Sequence, residues 1–362
     1  MRNTIGNLLT LTTFGESHGP AMGGVLDGVP AGVPIDLDAL QRAVDRRRPG
    51  QSSLTTARNE PDRVEILSGI YQGKTLGTPI GFIVRNTDAR PADYDAMAQC
   101  YRPSHADYTW EARFGIRDPR GGGRASARET VARVVGGALA AQVLATRGVT
   151  ITAYTSAIGD VTLDPAEPIN LSTIDQNPVR CPHAATAQRM ADAIEQARSE
   201  GDTLGGIVTL VVHGMPAGVG EPVFGKLHAQ LASALMSINA ARAVEIGDGM
   251  AMARMRGSEA MDLFTVEDGR VRTLTNHSGG IQGGITNGED IIVRVAFKPI
   301  ATLMRDIPTI DRDLNPVTLH PTGRHDVCVV PRAVPIVEAM AALVLLDNMM
   351  PFGQLRELRD ES

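Results

Sequence analysis

Arg120-Gly121-Gly122-Gly123-Arg124-Ala125-Ser126-Ala127-Arg128-Glu129 runs straight into an apolar pattern at Val131, Val134, Val135, Leu139 and Leu144. Ser126 and Glu129 have the Ser-x-x-Glu spacing of a capping box, which predicts a helix opening immediately after the triple glycine. Glycines let backbone N–H groups converge and a helix N-terminus adds a positive dipole, so this stretch has the chemistry of an anion site. Arg120, Arg124 and, one turn in, Arg128 are of the type that contacts phosphate or carboxylate bidentately. Read alone, the stretch also suits a flexible loop with solvated arginines. It is neither a Walker A loop nor a dinucleotide fingerprint, because Lys-Ser/Thr and a Gly-x-Gly-x-x-Gly after a strand are both missing.

Upstream, Gly6 to Val25 reads as a hairpin of two strands around the turn Gly15 to Gly19. Asp36 is an N-cap for a helix over Leu37 to Arg47, which Pro49-Gly50 stops. Strands are expected at Val64 to Leu67 and Ile80 to Arg85. The polar stretch from Asn86 to Gly123 is too long for a plain connector and predicts functional loops. Downstream come helices around Gln188 to Ser199, Lys226 to Ile238 and from about Ala333, with strands at Ile207 to Val212 and Ile291 to Phe297. Strands and helices mix without a βαβ rhythm, a repeat or a low-complexity linker. The expectation is one compact α+β domain over residues 1–352, with a polar tail at 353–362.

The 362 residues carry a net charge of −6, so nothing global draws the chain to nucleic acid or an acidic membrane surface, and an anion site has to be built locally. Cys100, Cys181 and Cys328 lack metal or disulfide spacing, which predicts free thiols in a reducing compartment. The start of the chain lacks a charged head followed by an apolar run, so a cytoplasmic location is expected. Pro335, Glu338, Asp347 and Asn348 interrupt the apolar run from Ala333 to Met350, which reads as a buried or interface helix. Aromatic residues are only 4%, which disfavours a base-stacking platform.

Three loop histidines have the chemistry of proton carriers near neutral pH: His18 between Ser17 and Gly19, His105 in Arg102-Pro103-Ser104-His105-Ala106-Asp107-Tyr108, and His325 beside Asp326. Taken alone, a lone loop histidine is more often an ordinary surface residue. Arg46-Arg47-Arg48 closes a helix, where cations are favoured by the dipole without any ligand. The glycine-rich turn Asn276 to Gly284 and the Lys298-Pro299 pair after a strand suit a second anionic group, or simply turns. No histidine pair has helical metal-site spacing and no EF-hand loop occurs, so no metal is expected.

Taken together and in order, six segments resemble chorismate synthase over residues 5 to about 350. They are Thr13 to Gly19, Asp45 to Gly50, Arg102 to Tyr108, Arg120 to Thr130, Ser237-Ile238-Asn239-Ala240 and Gly323-Arg324-His325-Asp326. The resemblance implies a β-α-β sandwich, a homotetramer, and the last step of the shikimate pathway in aromatic amino acid biosynthesis. The reaction implied is anti-1,4 elimination of phosphate from 5-enolpyruvylshikimate 3-phosphate to chorismate, a carbon–oxygen lyase activity requiring reduced FMN. On the matching motifs, His18 protonates the leaving phosphate, His105 protonates the reduced flavin and Asp326 helps to deprotonate it. FMN falls to Arg124, Ala125, Ser126, Asn239, Ala240, Gly283, Lys298, Pro299, Ile300, Ala301, Thr302 and Arg324. The substrate's phosphate and carboxylates fall to Arg47, Arg48 and Arg332, with Arg47 also on a family NADP site. Ser53 replaces a basic residue linked to NADP, Ser104 stands where glycine is commoner, and Ile300-Ala301-Thr302 has fewer hydroxyls than usual. No reductase domain is apparent, so an external flavin reductase is expected, with NADPH at most an indirect reductant. A flavin reductase and a nucleic-acid binder are the rival readings. The missing dinucleotide fingerprint counts against the first and the acidic charge balance against the second.

Overall fold

The computed structural model describes residues 3–51, 60–87, 98–321 and 326–360, the last seven of these by backbone alone. Ser53, Arg324 and His325 lie outside the described residues. Two five-stranded antiparallel sheets enclose a layer of helices. The first sheet has strands β1 (Thr4–Ile5), β2 (Thr10–Gly15), β3 (Ala21–Asp27), β4 (Val64–Ile66) and β5 (Ile80–Arg85), in the order β1-β2-β3-β5-β4. The second has β6 (Thr150–Ile158), β7 (Val161–Thr162), β8 (Gly206–His213), β9 (Ala241–Ile246) and β10 (Ile291–Phe297), in the order β9-β10-β8-β6-β7. Apolar residues pair across the ladders, as in Leu26↔Ile80 of the first sheet and Val208↔Val295 of the second.

The helices are α1 (Leu37–Arg47), α2 (Asp107–Phe114), α3 (Thr130–Ala145), α4 (Ala184–Ser199), α5 (Leu227–Met236) and α6 (Val330–Asp360). Asp36 caps α1 as expected, its Oδ1 accepting from the N–H groups of Asp38 and Ala39 at 2.8 and 2.9 Å. The sandwich is joined by α3 and α6, with α3 packing on β2 and β3 and α6 packing on β6 and β8. They meet at Gly137, where a methyl group would collide with the backbone of Ala339. One step earlier, a methyl on Gly136 would meet Leu11 of β2 at 2.9 Å. These two glycines cost α3 some helix propensity and set the distance between the layers.

The segment Val330–Gly353 is the one described helix long and apolar enough to cross a membrane, and most of it is buried between the sheets. Its backbone continues helically to Asp360, through the stretch expected as a tail. The elements that the sequence reading did not find include β6, β9 and α2. β6 escapes a period-2 reading because Ala153, Tyr154 and Thr155 are buried in succession, both faces of the strand being covered. β9 is an edge strand with two exposed positions, and α2 buries only Asp107.

Candidate active site

A cavity of about 620 Å3 is walled by loops from both halves of the chain. Its cationic side chains are Arg47, Arg102, Arg128, Arg242, Lys298 and Arg332, against the single carboxylate of Asp326. Such an excess favours a multiply anionic occupant.

The triple glycine forms the turn beside this wall. Gly121, Gly122 and Gly123 all have left-handed φ values of 62°, 81° and 52°. Bare Cα atoms here are also sterically required. A methyl on Gly121 would lie 2.5 Å from His18 Nδ1, and one on Gly122 would lie 3.2 Å from His105 Cε1. The turn is therefore a seat for two imidazole rings. The expected helix start is corrected. Tight turns broken by the left-handed glycines occupy Arg120–Ala125, a single 3-10 turn follows at Ala127–Glu129, and α3 opens only at Thr130. The capping box does not close, because the Glu129 carboxylate accepts from Thr13 Oγ1 at 3.0 Å and from Arg133 Nε at 2.8 Å. A cation one turn on and a hydroxyl on the neighbouring strand are better partners than the distant N-cap amide.

Arg47 and Arg128 converge on Asp62, a fully buried carboxylate at left-handed φ 44°. Arg128 Nη1 reaches Asp62 at 2.5 Å and Arg47 Nη1 at 3.2 Å. Arg47 donates its other nitrogens to Thr130 Oγ1 and the Ala127 carbonyl, so all three nitrogens are engaged within the protein. Burial and the adjacent Arg332 hold its pKa down to about 9, with Asp62 pulling the other way. Arg332 in turn donates Nη1 to Asp326 and Nε to the Arg47 carbonyl. Across the cavity, Asn239 Nδ2 donates to the Ala125 carbonyl at 2.9 Å and the Lys298 N–H to the Ala240 carbonyl at 2.9 Å. Three segments matched to FMN are thereby tied to one another. Lys298 Nζ also donates to the carbonyl of Ser104, whose φ of 59° explains why glycine suits that position.

Of the residues expected at the site, the wall contains His105, Arg47, Ala125, Ser126, Asn239, Ala240, Lys298, Ile300, Ala301, Thr302, Asp326 and Arg332. His18 sits behind Gly121, next to the wall residue Ser17. Arg48, Gly283 and Pro299 are not among the lining residues, and Arg124 faces a different cavity of about 730 Å3. Sequence reasoning gave no role to Ser17, Arg102 or Arg242, and named Arg128 only as a general anion contact. Ser17 and Arg102 lie inside the quoted motifs, where histidines and glycines drew the roles, and Arg242 on β9 carries no local signal.

Several buried polar atoms on wall residues have no hydrogen-bond partner among the described residues: Ser17 Oγ, Arg128 Nη2 and Asn239 Oδ1. Buried groups of this kind are normally satisfied. A cavity with spare donors, a spare acceptor and surplus positive charge fits a phosphorylated ligand with a hydrogen-bonding edge, as FMN and a phosphorylated substrate both are. No group of three or more His, Cys, Asp or Glu residues suited to a metal occurs among the described residues.

The chorismate synthase family model matches residues 9–350. A chorismate synthase of Bacteroides thetaiotaomicron is 56% identical over 348 residues, covering 96% of this chain and 97% of that protein. One of Opitutus terrae is 52% identical over 352 residues, covering 97% of each. A crystal structure of chorismate synthase superposes with a TM-score of 0.76 at 29% identity, covering 96% of this chain and 93% of the other. The sandwich, the cationic cavity and these likenesses agree: the chain belongs to the chorismate synthase family of carbon–oxygen lyases.

Proposed function

We propose that this chain converts 5-enolpyruvylshikimate 3-phosphate to chorismate by anti-1,4 elimination of phosphate, with reduced FMN bound in the same cavity. The observation that carries this reading is the surplus of six wall cations over Asp326 on the wall and Asp62 and Asp107 behind it, around orphaned polar atoms. Bound reduced flavin would supply electron density that helps phosphate depart. Ala125, Ser126, Asn239, Ala240 and the Lys298–Thr302 strand end would hold it, while Arg102, Arg128 and Arg332 would orient the substrate's anionic groups. Arg47, whose three nitrogens are engaged by Thr130, Asp62 and Ala127, would play a supporting part by fixing the Asp62 wall. His18, seated on Gly121 beside Ser17, would deliver a proton to the departing phosphate oxygen.

His105 would carry a proton toward the flavin. Burial holds its pKa below the ordinary histidine value, and the charges of Arg102 and Lys298 push the same way. An arriving dianion would offset both cations and raise the proton affinity of His105 when it is needed. We further propose a cytoplasmic homotetramer that receives reduced flavin from an external reductase, with NADPH acting only through that reductant.

The test is anaerobic incubation of the protein with the enolpyruvyl substrate and dithionite-reduced FMN, following chorismate absorbance and phosphate release. Stoichiometric release of both is expected, with none when the flavin is oxidised. Folded, flavin-loaded protein that forms no chorismate would sink the reading.

A further inference from the structure

The loop that presents His105 contains a second polar centre that the proposed reaction leaves without a role. Asp107 is buried at the first turn of α2. Its carboxylate accepts from Arg102 three times, from Nε at 2.7 Å, Nη2 at 2.8 Å and the backbone N–H at 3.1 Å. Arg117 Nη1 lies 3.2 Å from Oδ1. His105 Nδ1 lies 2.9 Å from the same oxygen. We propose that Asp107 is a positioning residue that fixes the proton of His105 on Nδ1 and leaves the Nε2 lone pair facing the Gly122 turn and the cavity.

The reasoning is one of elimination among donors. A carboxylate ringed by two guanidinium groups is ionised and can only accept, and these hydrogen bonds hold Asp107 well below the usual carboxylate range. Nδ1 must then be the donor, which selects one neutral tautomer. The opposite ring edge packs on Gly122, with Nε2 3.5 Å from where a methyl group there would stand. Only a residue without a side chain leaves that edge open. The charged groups facing His105 are Asp107 and Arg102 from its own loop, Arg117 beyond α2, and Lys298 from the end of β10. Asp107 alone favours the imidazolium, while Arg102 and Lys298 oppose it. Removing its charge therefore lowers the pKa of His105 further and frees the tautomer choice.

This inference deepens the role given to His105 above and rests on that reading only for its catalytic consequence. The test is long-range 1H–15N correlation on the full chain with labelled histidine. The chain has 8 histidines, and His105 is identified by the signal lost in His105→Ala. In the unmodified protein His105 is expected wholly as the Nδ1–H tautomer above its pKa. In Asp107→Asn the Nε2–H form should appear and the pKa should fall. Turnover should drop about 10–100-fold with KM nearly unchanged, and Asp107→Glu should restore part of it. An Nε2–H tautomer in the unmodified protein, or an unchanged tautomer in Asp107→Asn, overturns the proposal. Should Asp107→Asn not fold, the unmodified spectrum decides alone. If the unmodified protein fails to form chorismate, the reaction assignment falls while the tautomer measurement still stands or falls on its own result.

Discussion

Arg124 and Arg128 belong to one motif, yet the fold sends them into two cavities of opposite character. In the 730 Å3 cavity Arg124 and Arg133 both approach Glu129, at 3.7 and 2.8 Å. The other carboxylate there, Asp347, accepts from the backbone N–H groups of Asn7, Leu8 and Leu9 at 2.9, 2.7 and 2.9 Å. Its charges are balanced and its acceptors occupied. In the 620 Å3 cavity six wall cations exceed Asp326 on the wall and Asp62 and Asp107 behind it, and Arg128 keeps a buried nitrogen without a partner among the described residues. An anion site is thus marked by uncompensated charge rather than by the presence of arginine.

The hardest test of this contrast is the hidden counter-ion behind the cationic wall. Asp62→Ala leaves Arg47 and Arg128 buried without their carboxylate and should cost about 3–5 kcal/mol of stability, read as a shift of the denaturation midpoint. Millimolar phosphate should recover more stability in this variant than in the unmodified protein, and an equal response would contradict the charge argument. Next in size is the glycine seat. Gly121→Ala combines a left-handed φ with a clash against His18 and should cost about 1–3 kcal/mol. Turnover should fall beyond what that loss explains. Gly148→Ala is the control, with φ 77° and nothing within 4 Å, and should show the strain without the loss of activity. Smallest is the comparison of single cations. Lys298→Gln should weaken phosphate or FMN binding by roughly tenfold, as for a lost hydrogen bond to a charged group. Arg133→Gln, on the balanced cavity, should leave it unchanged by calorimetry; equal losses would erase the distinction between the cavities.

Much of this was legible locally. The cap at Asp36, the helical pattern after Val131 (though not its start at Thr130) and the strand Ile291–Phe297 follow from residue order, because capping and periodicity are short-range. The motifs also named most of the cavity wall. What stayed hidden depended on partners distant in sequence. Glu129 has capping-box spacing, yet Thr13, 116 residues away, shares its carboxylate with Arg133. The resemblance assigns Arg47 to the substrate's anionic groups, yet Asp62, Thr130 and Ala127 engage it fully. β6 reads poorly because burial on both faces removes the alternation that marks a strand.

The sequence by itself determined the mixed α+β class, the glycine turn, the cluster of arginines and the family. These depend on residue type and spacing, which the chain carries without folding. Tertiary structure alone decided which arginines are neutralised and which remain to receive an anion. It also turned the triple glycine from an expected phosphate cradle into the seat of His18 and His105. The reason is electrostatic and steric: the charge available at a site depends on carboxylates and ring edges brought within a few ångströms, and no local pattern records those distances.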